Sequence, residues 1–218
     1  MPPEPHPLWP LFDLRIRSER LVLRTATDDL LVELAALAQA GIHPPDEMPF
    51  AAPWSTVPSP AFEREFIQYH WLQRATWTVD AWELPLAVEL DGQLVGLQAI
   101  YAHEFPAMRT VGSGSWLGRE HQGRGIGKEM RGAVLAFAFG TLGAEIATTE
   151  ATVQNAASNG VSRSLGYQEN GVGRLAPGGQ VNETVRYRMT REGWAARPRP
   201  EVVVEGFERS RDLFGLDA

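Results

Sequence analysis

Ser115-Trp116-Leu117-Gly118-Arg119-Glu120-His121-Gln122-Gly123-Arg124-Gly125-Ile126-Gly127-Lys128 is the stretch on which the fold of this chain turns. A strand pattern at about 109–117 precedes it and an apolar-periodic helix pattern at about 128–139 follows it. The three glycines 123, 125 and 127 open backbone conformations closed to other residues and let a ligand approach the main chain. Consecutive amides then point out of a helix N-terminus, an anion site by geometry and by dipole. Arg124 and Lys128 add positive charge, and a pyrophosphate is the natural occupant. The loop lacks the Gly-Lys-Ser/Thr ending of a P-loop. Its glycines run G-x-G-x-G and do not sit in an early βαβ unit, which argues against a dinucleotide fold.

Working outward, residues 1–17 read as a proline-rich arm ending in a strand, Leu14–Arg17, and Leu21–Arg24 is a second strand. Thr27-Asp28-Asp29 starts a helix that carries Leu30, Leu31, Leu34 and Leu37 and stops at Gly41. Residues 41–60 hold six prolines, which forbid regular structure, yet they also hold Met48, Phe50 and Trp54. A packed lid is the expectation. A helix at 61–76 follows, then strands at 86–90 and 94–101 joined by Asp91-Gly92, a strong hairpin signal. Strands at 145–151 and 181–189 and a helix at 156–165 complete the pattern, with Val202–Val204 a strand candidate in the tail. A mixed sheet with helices on both faces results, in which only 109–117 to 145–151 has the length of a parallel crossover. The expected division is an arm at 1–17, a domain at 18–190 and a C-terminal extension at 191–218, packed on the domain or at a dimer interface.

The 218 residues carry a net charge of -7, which argues against sequence-independent nucleic-acid binding. There is no cysteine, so disulfides, thiolate metal sites and a cysteine acyl-enzyme are excluded. The five histidines show no pairing at metal-ligand spacing, and no metal is expected. No signal peptide and no bilayer-length apolar run is read, so a soluble cytoplasmic protein is the expectation.

Gln122-Gly123-Arg124-Gly125-Ile126-Gly127 resembles the Q/R-x-x-G-x-G/A motif of the GNAT acyltransferases, whose loop holds acyl-CoA. Downstream, Asn155-Ala156-Ala157-Ser158 and Ser164-Leu165-Gly166-Tyr167 are similar to that family's N-x-x-S and L/N-G-F/Y segments. The resemblance spans about 18–190 and is closest to the branch that acetylates ribosomal-protein N-termini. It is closer still to a group of succinyl-CoA transferases, through Gly41–Trp54, Ser113–Gly118 and Leu213-Phe214-Gly215.

The resemblance implies an α/β (α+β) GNAT fold: a mostly antiparallel sheet of about seven strands whose fourth and fifth strands splay apart. It implies a coenzyme A thioester, acetyl-CoA or succinyl-CoA, as co-substrate. The amides of Gln122, Gly123, Arg124, Gly125, Ile126, Gly127 and Lys128 would hold its pyrophosphate. Trp116, Leu117 and Gly118 would pair with the pantetheine arm, and Asn155 would bond it from the far side. The chemistry would be direct attack of an amine on the thioester. Many members carry a tyrosine seven residues after the asparagine; this chain has Ser162 there, a departure. Ser158 is the first candidate donor to the leaving sulfur and Ser162 the second. Glu150 is the base best placed by pattern, with Asp46 and Glu47 as rivals. The acyl and acceptor pocket would take in His43, Met48, Phe50, Trp54 and Ser115. A succinyl carboxylate would call on His43, Arg74 or Arg109. The expected partner is an amine, from a protein N-terminus, a lysine or a small molecule, and the apolar tail suggests a homodimer. A non-catalytic acyl-CoA sensor and a purely structural domain are the competing classes.

Overall fold

The computed structural model describes residues 4–216. One nine-stranded sheet forms its spine. In chain order the strands are β1 (Arg15–Arg17), β2 (Leu21–Thr25), β3 (Ala81–Leu90), β4 (Gln93–His103), β5 (Thr110–Leu117), β6 (Ile146–Thr152), β7 (Gln168–Leu175), β8 (Asn182–Thr190) and β9 (Val203–Glu205). Their spatial order is β7-β8-β6-β5-β4-β3-β2-β1-β9. Every pairing is antiparallel except β5 with β6. The helices are α1 (Asp28–Gln39), α2 (Ala61–Ala75), α3 (Phe105–Met108), α4 (Ile126–Gly140), α5 (Ala156–Leu165) and α6 (Arg191–Ala195).

Alternation along the strands builds a core on each face of the sheet. Ala87, Leu97, Ala99 and Trp116 face α1 and α2, where they meet Leu30, Leu34, Phe62 and Phe66. Leu84, Leu86, Val88, Ile100, Val111 and Leu117 face α4 and meet Ile126, Met130, Val134 and Phe137. α4 is apolar on most of its surface because it lies between the sheet and the C-terminal segment.

Two strands exceed the expected seven. β7 has the sequence Gln-Glu-Asn-Gly-Val-Gly-Arg-Leu and an almost wholly exposed pattern. As an edge strand over solvent it has no apolar alternation to read. β9, the strand candidate of the tail, adds to the opposite edge through Arg15↔Glu205, Ile16↔Val204 and Arg17↔Val203. β3 begins at Ala81 rather than 86, in spite of Pro85. The Pro85 carbonyl accepts from the Ala26 amide, just past the last β2 pair, Thr25↔Leu86. Its missing N–H falls where the chain has already left β2 for α1, so no ladder bond is lost.

Of the two readings of the tail, packing on the domain or at a dimer interface, Phe207 and Phe214 follow the first. Phe207 and Phe214 are buried in the protomer's own core, where Phe214 packs against Trp77 and Trp82. These two rings are therefore occupied within the protomer. Among the described residues no helix is long and apolar enough to cross a membrane.

Candidate active site

β5 and β6 are hydrogen-bonded neighbours only at Thr110↔Ile146, Val111↔Ala147 and Gly112↔Thr148. Beyond Gly112 they diverge. β5 stays on β4 as far as Leu117↔Gly96, while β6 stays on β8 as far as Thr152↔Thr184. The sheet thus opens into a V, and along one arm Ser113–Leu117 has no strand paired to it on the β6 side. A methyl group built on Gly114 meets nothing within 4 Å, so the cleft is open there toward α2.

The loop sits at the mouth of this V. Gly123 and Gly125 adopt φ of 71° and 79°, in the left-handed region that only glycine enters cheaply. Five successive amides, those of residues 123–127, have no acceptor among the described residues. The flanking amides differ from expectation, since Gln122 N–H donates to the Arg119 carbonyl and Lys128 N–H to the Gly125 carbonyl. The Gln122 side chain is likewise spent, with Nε2 donating to the carbonyls of Ile42 (2.8 Å) and Leu117 (3.0 Å). It shapes the loop rather than reaching out of it. Arg124 and Lys128 are exposed and have no acidic partner among the described residues.

Across the V, Asn155 caps α5: its Oδ1 accepts from Ser158 N–H at 3.0 Å. Its Nδ2 makes no bond among the described residues and is available to a ligand. The two serines now separate. Ser162 is fully buried, donates to the Ser158 carbonyl (3.1 Å) and accepts from Arg131 (3.1 Å). Ser158 is part-exposed and its hydroxyl has no partner among the described residues.

Arg131 was not anticipated. It lies in an apolar helix, 4% exposed, and bridges the V by donating to Ser162 Oγ and to Ser115 Oγ (3.2 Å). Among the described residues no carboxylate pairs with it, and its Nε has no acceptor. Burial pulls its pKa down, opposed by the neighbouring Tyr167 and Tyr101.

On the α2 side a second group emerges that no local spacing announces. Tyr69 of α2 donates to Glu83 of β3 at 2.8 Å and 3.0 Å, and Glu83 is the cross-strand partner of Tyr101. The Tyr101 ring lies over Gly112, where the strands part. Burial raises the Glu83 pKa, against the lowering effects of the Tyr69 bond and His103. Burial also raises the Tyr101 pKa, and the negative charges of Glu83 and Glu150 add to it. Glu150 accepts from Thr184 and lies 3.7 Å from the Arg186 guanidinium.

The proline-rich segment is a lid fixed at both ends. At its root the Gly41 carbonyl accepts from Arg119 N–H and the Ile42 carbonyl from Gln122. At its far end Trp54 packs on Phe62, Phe66 and Trp116, with ring centroids about 6 Å apart. His43 is an internal strut: its ring nitrogens contact the Pro44 carbonyl and Ser55 Oγ, both at 2.7 Å, and it stacks edge-on to Phe50. Asp46, Glu47 and Met48 at the tip face Asn155 across a cavity of about 300 Å³. Of the other cations considered for a carboxylate, Arg74 is held by Asp28 and the Ala26 carbonyl, and Arg109 stacks on Phe105.

An acetyltransferase (GNAT) domain model matches residues 20–168, from before β2 to the start of β7. The chain belongs to the GNAT acetyltransferase family. Solved structures of similar fold include one described as a "probable acetyltransferase", 23% identical over 81% of this chain and 96% of that one, with a TM-score of 0.67. Mycobacterium smegmatis RimJ in complex with CoA-disulfide is 19% identical over 88% and 98% of the two chains, with a TM-score of 0.67. RimL, a ribosomal L7/L12 alpha-N-protein acetyltransferase in complex with coenzyme A, is 18% identical over 79% and 95%, with a TM-score of 0.64. At these identities the likeness speaks for the fold. In this GNAT chain the family model ends before β8 and the C-terminal segment.

Proposed function

We propose that this chain moves an acyl group from a coenzyme A thioester to a primary amine by direct attack in a ternary complex. The observation that carries the reading is the V between β5 and β6, with five free amides at its mouth and, along one arm, β5 backbone that has no strand paired to it on the β6 side. A molecule with a pyrophosphate at one end and an amide-bearing arm at the other matches both features at once. On this reading the backbone of Trp116, Leu117 and Gly118 pairs with the arm, and Asn155 Nδ2 bonds it from the opposite side. The unpartnered Ser158 hydroxyl protonates or bonds the leaving sulfur.

The amine approaches from the α2 face, where Gly114 leaves space. It meets Glu83, Tyr101 and Glu150 there. Two carboxylates attract an ammonium, and one with a raised pKa is suited to take its proton. The acceptor is therefore a cationic primary amine, from a protein N-terminus, a lysine or a small molecule. Met48, Phe50 and Trp54 wall the lid over the thioester and exclude water.

Acetyl-CoA is the donor that family membership supports. Arg131 favours a second reading, succinyl-CoA, because a buried guanidinium without an acid lies directly behind Ser115. His43 can serve a succinyl carboxylate only by giving up Ser55. Mass-spectrometric screening of acetyl- and succinyl-CoA against peptides and small amines tests the proposal. Acyl transfer to an amine with either donor supports it. CoA binding without turnover on any amine establishes an acyl-CoA sensor instead.

A further inference from the structure

The far end of a coenzyme A molecule is a nucleoside that carries a 3′-phosphate. With the pyrophosphate on residues 123–127 and the arm in the V, that nucleoside leaves the loop on its other side. A groove of about 970 Å³ lies there. It starts at Gly125 and Lys128, runs past Leu165 at the end of α5, and is closed by the C-terminal strap of residues 194–203.

The strap is held in place by packing. Trp194 is buried and stacks on Phe139 at 5.9 Å. Pro200 sits against Gly132 of α4, and β9 locks the far end to β1. Between these anchors Arg197 crosses Gly166, where any side chain would collide with it. The strap residues 194–203 lie outside the span that the family model matches.

Charge makes the groove distinctive. In a chain of net charge -7 most arginines near this edge are paired: Arg17 with Glu205, Arg20 with Glu129, Arg163 with Glu169. Lys128, Arg197 and Arg199 line the groove with no acidic partner among the described residues. Glu19 and Glu201 also line it, and Glu129 is neutralised by Arg20. The three free cations outnumber the two free acids, beside the positive end of α4. Arginine suits a phosphate because its planar fork bonds two oxygens at once.

We propose that the C-terminal strap forms a phosphate-reading pocket, in which Arg197 and Arg199 bind the 3′-phosphate of the coenzyme's nucleoside. The inference rests on the acyl-CoA reading of the glycine loop. Calorimetric titration of the wild type with CoA and with dephospho-CoA, which lacks only that phosphate, tests it. The wild type should bind CoA at least about tenfold more tightly, the effect of one charge-assisted contact. Arg197→Ala/Arg199→Ala should bind both molecules alike, at the wild-type affinity for dephospho-CoA. Because Arg197 packs on Gly166, the exposed Arg199→Glu is made as well, and it should narrow the preference without a change in melting temperature. Equal wild-type affinities for the two molecules, or a preference that survives in both variants, overturns the strap proposal while leaving the loop reading intact. Failure of the wild type to bind either molecule overturns both.

Discussion

Arg131→Met separates a residue kept for function from one kept for stability. The side chain is 4% exposed, makes two hydrogen bonds to serine hydroxyls and has no counter-ion. Hydrogen bonds to a charged group contribute about 1.5–3 kcal/mol each, so the pair contributes roughly 3–6 kcal/mol. Taking a guanidinium out of water costs several kcal/mol, and replacing buried charges by apolar groups of like volume is often neutral or stabilising by about 1–4 kcal/mol. These terms nearly cancel, and methionine fills a similar volume with a flexible chain. Thermal unfolding of the ligand-free variant should therefore fall within about 5 °C of the wild type, since ~1 kcal/mol moves a chain of this size by about 2–4 °C. Turnover should fall at least tenfold, because Ser115 and Ser162 lose the donor that fixes them and the cleft loses its positive charge. Arg131→Lys should recover part of the rate, with a charge of shorter reach. A melting temperature lowered by more than about 10 °C, with turnover of the folded variant unchanged, would refute the reasoning and make Arg131 a structural strut.

Three other outcomes follow from the same geometry. Gly125→Val places a β-branched residue at φ 79° beside the free amides, so calorimetric CoA affinity should fall at least about tenfold, roughly 1.4 kcal/mol; an unchanged affinity in a folded variant sinks the loop assignment. Ser158→Ala should lower kcat on the order of 10²-fold with little change in KM, since on the proposed reading its hydroxyl acts on the leaving group; a full kcat returns attention to Ser162. Acid should destabilise the protein through His70, 4% exposed, whose pKa burial and then Arg74 pull down to about 4. Its neutral form is the folded one, so the contribution is complete above about pH 6.5 and is lost between about 6.5 and 4, up to about 3 kcal/mol; His70→Phe should flatten the melting-temperature profile across that window, and an unchanged profile would discount the role.

What the chain disclosed in advance follows the range of each signal. α5 was legible to the residue, 156–165, because its cap at Asn155 and its stop at Gly166 are local chemistry. The parallel crossover from β5 to β6 was legible from its length, and the glycine loop from composition alone. Long-range features were not. Arg131 reads as a solvated position in Glu-Met-Arg-Gly-Ala-Val, and only the packing of α4 under two layers buries it. Glu83, Tyr101 and Tyr69 come from β3, β4 and α2, so no spacing joins them; the only trace was a polar residue in an otherwise apolar run ahead of Pro85. The tail's apolar residues have no partner in sequence, which leaves packing on the domain and a dimer interface both open; Trp77 and Trp82 supply a partner for Phe214 in space.

The lid and the loop share a root, and this bears on the order of events under the proposed reading. Gly41 and Ile42 are bonded by their carbonyls to Arg119 and Gln122, so the hinge of the lid and the start of the anion loop form one unit. Trp54 pins the far end to α2 and β5. Only the tip between these anchors, Pro45 to Pro49, faces the cavity beside Asn155, and its prolines lower the entropy cost of holding one shape. A ligand that orders the amides of residues 123–127 also steadies the lid root through Gln122. Acyl-CoA binding then completes the wall over the thioester before the amine arrives at Glu83 and Glu150 from the other face. The acceptor side needs no moving part: Glu83 is held by Tyr69 at both oxygens and Tyr101 by its place in β4. On the proposed reading the cleft thus has a roof over the donor that is anchored at both ends and an acidic floor for the amine that is held by Tyr69.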